Sequence, residues 1–221
     1  MLNKSHGNMY PWVSHTWNVI KGKCPHDCSY CYMKRYPQPE LHFDGKELKT
    51  DLGEGNTIFV GSSCDMWADA INGCWISTIL DHCWAYPDNN YLFQSKNPSR
   101  FPMFEHWKEI RHFILGTTIE TNRTYSHEVY KAPYRRDRYL AMTSIKSPKI
   151  VSIEPIMDFD NDILVQWISD IEPTFVSIGA DSGRNGLPEP SPDKVVALIE
   201  ALKGITEVKI KDNLSRLLAK D

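Results

Sequence analysis

Three cysteines, Cys24, Cys28 and Cys31, stand within eight residues in the stretch GKCPHDCSYCYMK, spaced C-x3-C-x2-C. In a reducing compartment, clustered thiols serve as metal ligands or redox groups rather than as a disulfide framework. A [4Fe–4S] cluster normally takes four cysteine thiolates. Three on one loop leave one iron without a protein ligand. An open coordination position is what lets a metal site bind a substrate or cofactor instead of only holding the fold. Gly22 and Pro25 supply the irregular backbone needed to aim several thiolates at one place. The alternatives are non-catalytic. Zinc could take Cys24, His26, Cys28 and Cys31, although a donor at every second residue is cramped for one tetrahedral ion. An iron–sulfur electron carrier would draw its fourth ligand from elsewhere in the protein.

The elements that must position this loop alternate along the chain. β-rich runs occur at TWNVI, TIFVG, YLFQS, FILGTTI, KIVSIEPI, TFVSIGA and TEVKIK. Helix-like stretches lie between them: DAINGCWISTILDHCWAY, SRFPMFEHWKEIRHF, YRRDRYLAMTSI, NDILVQWISDI and SPDKVVALIEALKG. Asp160 and Asn161 are N-cap residues for the fourth, Ser191 or Asp193 for the fifth, which Gly204 ends. Strands alternating with helices predict a parallel α/β sheet of six or seven units. A closed barrel needs roughly 250 residues, so 221 residues predict a single domain over 1–221. Its expected form is a partial, open (β/α)6-type TIM barrel, with a doubly wound sheet as the alternative. Both put the ligand site at the carboxyl ends of the strands. A net charge of −3 excludes a chain-wide electrostatic footprint for nucleic acid or anionic membrane. Neither a signal peptide nor a membrane-spanning run is read, which predicts a cytoplasmic protein with no membrane partner.

The C-x3-C-x2-C motif carries an aromatic, Tyr30, before its last cysteine and follows the first strand of a β-α series. In this it resembles the radical S-adenosylmethionine superfamily. MYPWVSHTWN, CPHDCSYCY and SIEP also resemble a phage- and bacteria-associated subgroup of it, distantly similar to spore photoproduct lyase. The resemblance implies that Cys24, Cys28 and Cys31 ligate three irons and that S-adenosylmethionine chelates the fourth. One electron then cleaves its sulfur–C5′ bond, and a 5′-deoxyadenosyl radical abstracts hydrogen from the substrate. Tyr30 would pack near the adenine. A low-potential donor such as flavodoxin or ferredoxin is implied.

Such a cofactor needs acceptors, donors and an apolar slot, and the strand ends offer candidates. Ser62, Ser63 and Asp65 follow the second strand in GSSCD, where the superfamily usually contacts the methionine ammonium; its glycine-rich, glutamate-ended motif is absent here. Cys64, in the same turn, is the candidate catalytic residue, as a hydrogen-atom donor or substrate contact. Lys96 is a rim cation after the third strand. Thr118, Glu120 and Asn122 alternate after the fourth and share a face if the strand continues. The resemblance puts ribose or methionine contacts there, with Arg123 on the methionine carboxylate. Glu154 ends the fifth strand, either for ribose or substrate or in a structural pair. Gly179 would let the adenine lie on backbone after the sixth, with Asp181 and Ser182 beside it. Each of these residues also has a plain turn, cap or surface-loop reading.

Among the other cysteines, Cys74 and Cys83 are expected to pack on opposite sides of one helix. The segment YKAPYRRDRY, residues 130–139, mixes cations with tyrosines as single-stranded or flipped nucleic acid requires. The favoured expectation is a helix with solvated arginines and packed tyrosines. Trp75, Trp84, Trp107 and Trp167 are expected between helices and barrel, and Trp12, Trp17 and Trp67 nearer the mouth. Little sequence remains for a capping domain, which favours a macromolecular substrate, nucleic acid or protein.

Overall fold

The computed structural model describes residues 1–7, 9–104, 109–125 and 131–219. An eight-stranded sheet dominates it. Its strands are β1 (Asn3–Lys4), β2 (His15–Trp17), β5 (Thr57–Val60), β6 (Asn90–Ser95), β7 (Phe113–Thr118), β8 (Lys149–Ile153), β9 (Phe175–Ile178) and β10 (Glu207–Ile210), in that spatial order. β1 lies antiparallel on β2, and every other neighbouring pair is parallel. Two residues each, β3 (Ile20–Lys21) and β4 (His42–Phe43), form a separate antiparallel pair. Strand order follows chain order with no reversal, unlike a doubly wound sheet. Right-handed crossovers then carry every connection over the same face.

Four of the five stretches read as helical contain α1 (Gly73–Trp84), α2 (Arg135–Ser144), α3 (Asn161–Ile171) and α4 (Pro192–Lys203), and a last turn, α5, covers Ser215–Leu218. Asn72 caps α1 by accepting from Cys74 N at 2.9 Å, and Ser191 caps α4 by accepting from Lys194 N at 3.4 Å. SRFPMFEHWKEIRHF differs from expectation. Pro98–Met103 forms a 3-10 helix with Pro102 inside it, and a proline there removes a donor an α-helix needs. Residues 105–108, with Trp107, lie outside the described residues, as does Tyr130. The first crossover, from β2 to β5, holds the cysteine loop and two 3-10 turns instead of an α-helix.

Successive strand residues bury on opposite faces. Toward the helices, Tyr91, Phe93, Leu115, Val151 and Ile178 meet Ile79, Met142, Ile168 and Leu198. On the other face, Leu92, Ile150 and Phe175 are covered by Tyr10 and Val13 from the N-terminal segment, with Trp12 beside them. Burial on both faces explains why the central strands β6–β9 read as apolar runs rather than alternations. Two residues further along each strand the covered face turns polar or small: Gln94, Gly116 and Thr118, Ser152 and Ser177. Tyr10 Oη donates to Gln94 Oε1 at 2.9 Å, and Gln94 Nε2 donates to Thr118 Oγ1 at 3.1 Å. The face is thus plugged at one end and polar at the carboxyl end.

The tryptophans divide differently from expectation. Trp17 and Trp67 are fully buried, Trp67 edge-on to Phe93, Phe101 and Phe104. Trp75 and Trp167 pack as expected, against Phe43 and Tyr139, but Trp84 is largely exposed. Cys83 is buried, while Cys74 is exposed in the first turn of α1. No helix among the described residues is long and apolar enough to cross a membrane.

Candidate functional site

The cysteine loop leaves β3 through Gly22, whose φ of +97° favours glycine. A Cβ there would stand 2.4 Å from the Glu40 carbonyl oxygen, so only glycine lets the two chain segments meet. The loop then turns through Asp27 at φ +46°, with Asp27 N on Cys24 O and Cys31 N on Cys28 O, both at 3.1 Å. All three thiols are free; Cys28 is buried, and Cys24 and Cys31 are half-buried. A hydrogen bond from the Cys64 thiol holds Cys24 below the usual thiol range against its burial, with help from backbone N–H groups of Asp65 and His26. The same contact, with burial, pushes Cys64 up. Burial pushes Cys28 up to about 11 and also raises Cys31, which a backbone N–H of Met33 opposes.

The free thiols and the backbone N–H groups beside Cys24 and Cys31 fit an iron–sulfur cluster. Thiolates are its ligands, and N–H groups aimed at sulfur stabilise them. Each thiolate takes a different iron, so the three need not converge on one point. A single zinc would need four donors at about 2.0–2.3 Å, and among the described residues no three His, Cys, Asp or Glu side chains are gathered around one ion.

Two buried carboxylates tie the loop to the strand ends. Asp65 accepts from Ser95 Oγ at 2.9 Å, Lys96 N at 2.7 Å and Trp67 N at 3.0 Å, and pairs with His26 Nε2 at 2.9 Å. Burial would raise its carboxyl, but His26 and those N–H donors hold it below the ordinary range. Oδ2 ties His26 of the cysteine loop to the end of β6, while Oδ1 closes the turn of Asp65 itself. Glu120 is fully buried beyond β7 and gathers Lys96 Nζ at 2.9 Å, Arg135 Nε at 3.1 Å and Arg138 Nη1 at 3.0 Å. It also accepts from Tyr30 Oη. Despite its burial, Arg138, Lys96 and Arg135 hold its carboxyl well below the usual range. Tyr30 is pushed well up by burial first and by Glu120 second. Its hydroxyl thus docks the loop on Glu120, and Lys96 Nζ lies 5.3 Å from its ring centroid.

Arg135 and Arg138 are therefore not the solvated arginines expected of this segment. Their i, i+3 spacing, which puts both on one helix face, is the only sequence signal for that.

The remaining candidates scatter over the rim. Asn18, not singled out in the sequence, donates to Ser62 Oγ at 3.2 Å and accepts from Ser63 N at 2.9 Å, joining the ends of β2 and β5. Cys64 is buried beneath this turn. Thr118 faces the polar end of the plugged sheet face. Asn122 and Arg123 turn away from it and bind Asp160, with Arg123 also on Asp158. Glu154 pairs with Lys211 Nζ at 2.7 Å and accepts from Asn213 Nδ2 at 3.1 Å. A Cβ on Gly179 would come within 2.7 Å of the Glu154 carboxyl, so here the glycine makes room for Glu154. Asp181 closes its own turn by accepting from Gly183 N at 3.0 Å and Asn185 Nδ2 at 2.6 Å. Ser182 joins this end by accepting from Asn213 Nδ2 at 2.8 Å.

No family model and no curated protein matches the chain. Among solved structures, a cysteine-to-alanine variant of spore photoproduct lyase with dinucleoside spore photoproduct aligns with a TM-score of 0.64 at 11% identity, over 93% of this chain and 78% of that one. The chain has the fold of spore photoproduct lyase. A tyrosine-to-phenylalanine variant of the lyase gives 0.63 at 9% identity over the same shares. A lyase double variant with bound AdoMet and dinucleoside spore photoproduct gives 0.54 at 11%, over 91% of this chain and 64% of that one.

Proposed function

We propose that the protein is a radical S-adenosylmethionine enzyme built on an open (β/α)6-type barrel, with Cys24, Cys28 and Cys31 holding a [4Fe–4S] cluster whose fourth iron S-adenosylmethionine completes. One observation carries this reading: a C-x3-C-x2-C loop with free thiols follows the first parallel strand of a sheet with the lyase fold. Loaded, the site would supply one-electron cleavage of S-adenosylmethionine to a 5′-deoxyadenosyl radical that takes hydrogen from the substrate.

The chain's own residues bind, orient and exclude water. Glu120 and Asp65 hold the cysteine loop through Tyr30 and His26. Ser62 and Ser63, held by Asn18, and Thr118, Glu154 and Gly179 are the candidates to face S-adenosylmethionine. Asn122, Arg123 and Asp181 act on their own loops. Cys64, buried beside Cys24, is the candidate hydrogen-atom donor.

The substrate is a macromolecule, nucleic acid or protein. Exposed Tyr32, Tyr36 and Tyr134 support the first, as does the dinucleoside ligand of the structurally similar lyase. A flavodoxin- or ferredoxin-type protein delivers the electron. Anaerobic incubation of the reduced, reconstituted protein with S-adenosylmethionine is expected to yield 5′-deoxyadenosine and methionine, measured by liquid chromatography. A fully loaded protein that yields neither, with or without single-stranded DNA, contradicts the proposal.

A further inference from the structure

We infer that Lys96 is an electrostatic positioning residue for the cysteine loop, whose charge makes the bound cluster easier to reduce. This rests on the cluster assignment above. Lys96 follows β6, and its side chain is mostly buried. Its ammonium lies 5.3 Å from the centroid of the ring of Tyr30, the residue just before Cys31, and 2.9 Å from Glu120. Glu120 is not its partner alone, because Arg135 and Arg138 bind the same carboxylate. The negative charge of Glu120 is thus shared among three cations, and it cancels the field of Lys96 at the loop only in part.

A cluster held by thiolates gains one negative charge on reduction, so a nearby fixed cation favours the reduced state. Lysine suits this role as a compact point charge. A unit charge on the order of 10 Å away, at an effective dielectric of about 20, changes such an equilibrium about tenfold.

The test is an EPR-monitored redox titration of the reconstituted protein without S-adenosylmethionine, comparing wild type, Lys96→Gln and Lys96→Arg. Lys96→Gln can still donate to Glu120 but lacks the charge. At the wild-type midpoint, its ratio of reduced to oxidised cluster should fall about tenfold, a midpoint about 59 mV lower for one electron. Lys96→Arg should stay near wild type. Equal midpoints in wild type and Lys96→Gln would overturn the inference while leaving the cluster assignment intact. A wild type that binds no cluster would overturn that assignment, and the inference with it. If Lys96→Gln loads no iron, loading by Lys96→Arg supports a role for the charge, and failure of both refutes it.

Discussion

Replacing Cys24, Cys28 and Cys31 together by alanine is expected to abolish iron binding and leave a folded protein. A [4Fe–4S] cluster brings about four irons per chain, and of the other three cysteines only Cys64 touches the loop, through Cys24, while Cys83 lies in the core and Cys74 is exposed on α1. The loop belongs to neither sheet, and it is held chiefly by Tyr30 on Glu120 and His26 on Asp65, with one thiol contact, Cys24 to Cys64. Only Cys28 is buried, so truncation costs on the order of 1–2 kcal/mol of packing. Iron analysis and a melting curve check both halves of this expectation. Cys74→Ala should bind iron like wild type. A triple variant that kept its iron would show that the cluster, if any, lies elsewhere.

Glu120→Gln should be the most destabilising single substitution at the site. It leaves Lys96, Arg135 and Arg138 around a neutral amide in a fully buried position. Breaking a buried pair from one side costs about 3–5 kcal/mol, because the remaining charge has lost its compensation. The cost also has a pH signature. The folded-state carboxyl is held well below its ordinary value. Its contribution is therefore fully present above the unfolded value of about 4.3 and is lost as pH falls through the folded value. The gap between wild type and Glu120→Gln in denaturant midpoint should be widest near pH 7 and should shrink steadily as pH falls below about 4.3. A gap independent of pH would mean that Glu120 contributes by shape and hydrogen bonding, not by charge.

The central strands β6–β9 were legible because burial on both faces makes each a short apolar run, whereas the edge strand β10, EVKI, has no buried residue. α3 spans the residues its periodicity predicts, Asn161–Ile171. Asp160 takes the expected N-cap backbone position, but its carboxylate binds Arg123 and Asn122 instead of a helix N–H. β1, β3 and β4 are two residues each, too short for any period to register.

At the site, the clustering of Cys24, Cys28 and Cys31 on one loop is legible because they are close in sequence. The carboxylate roles are not. Glu120 meets Tyr30 across 90 residues and Lys96 across 24, while Asp65 meets His26 across 39. Spacing carries no information about pairs that only the sheet brings together. Gly179 shows the same limit: the glycine makes room for the carboxyl of Glu154, a contact between strand ends that spacing does not give.

The most direct test of the account is anaerobic electron paramagnetic resonance of the reconstituted, dithionite-reduced protein with and without S-adenosylmethionine. An open iron predicts a [4Fe–4S]⁺ signal whose g-values change when the nucleotide is added. A cluster signal indifferent to the nucleotide would mean a fourth ligand from the protein and an electron carrier. The absence of any cluster would contradict the assignment of Cys24, Cys28 and Cys31 altogether.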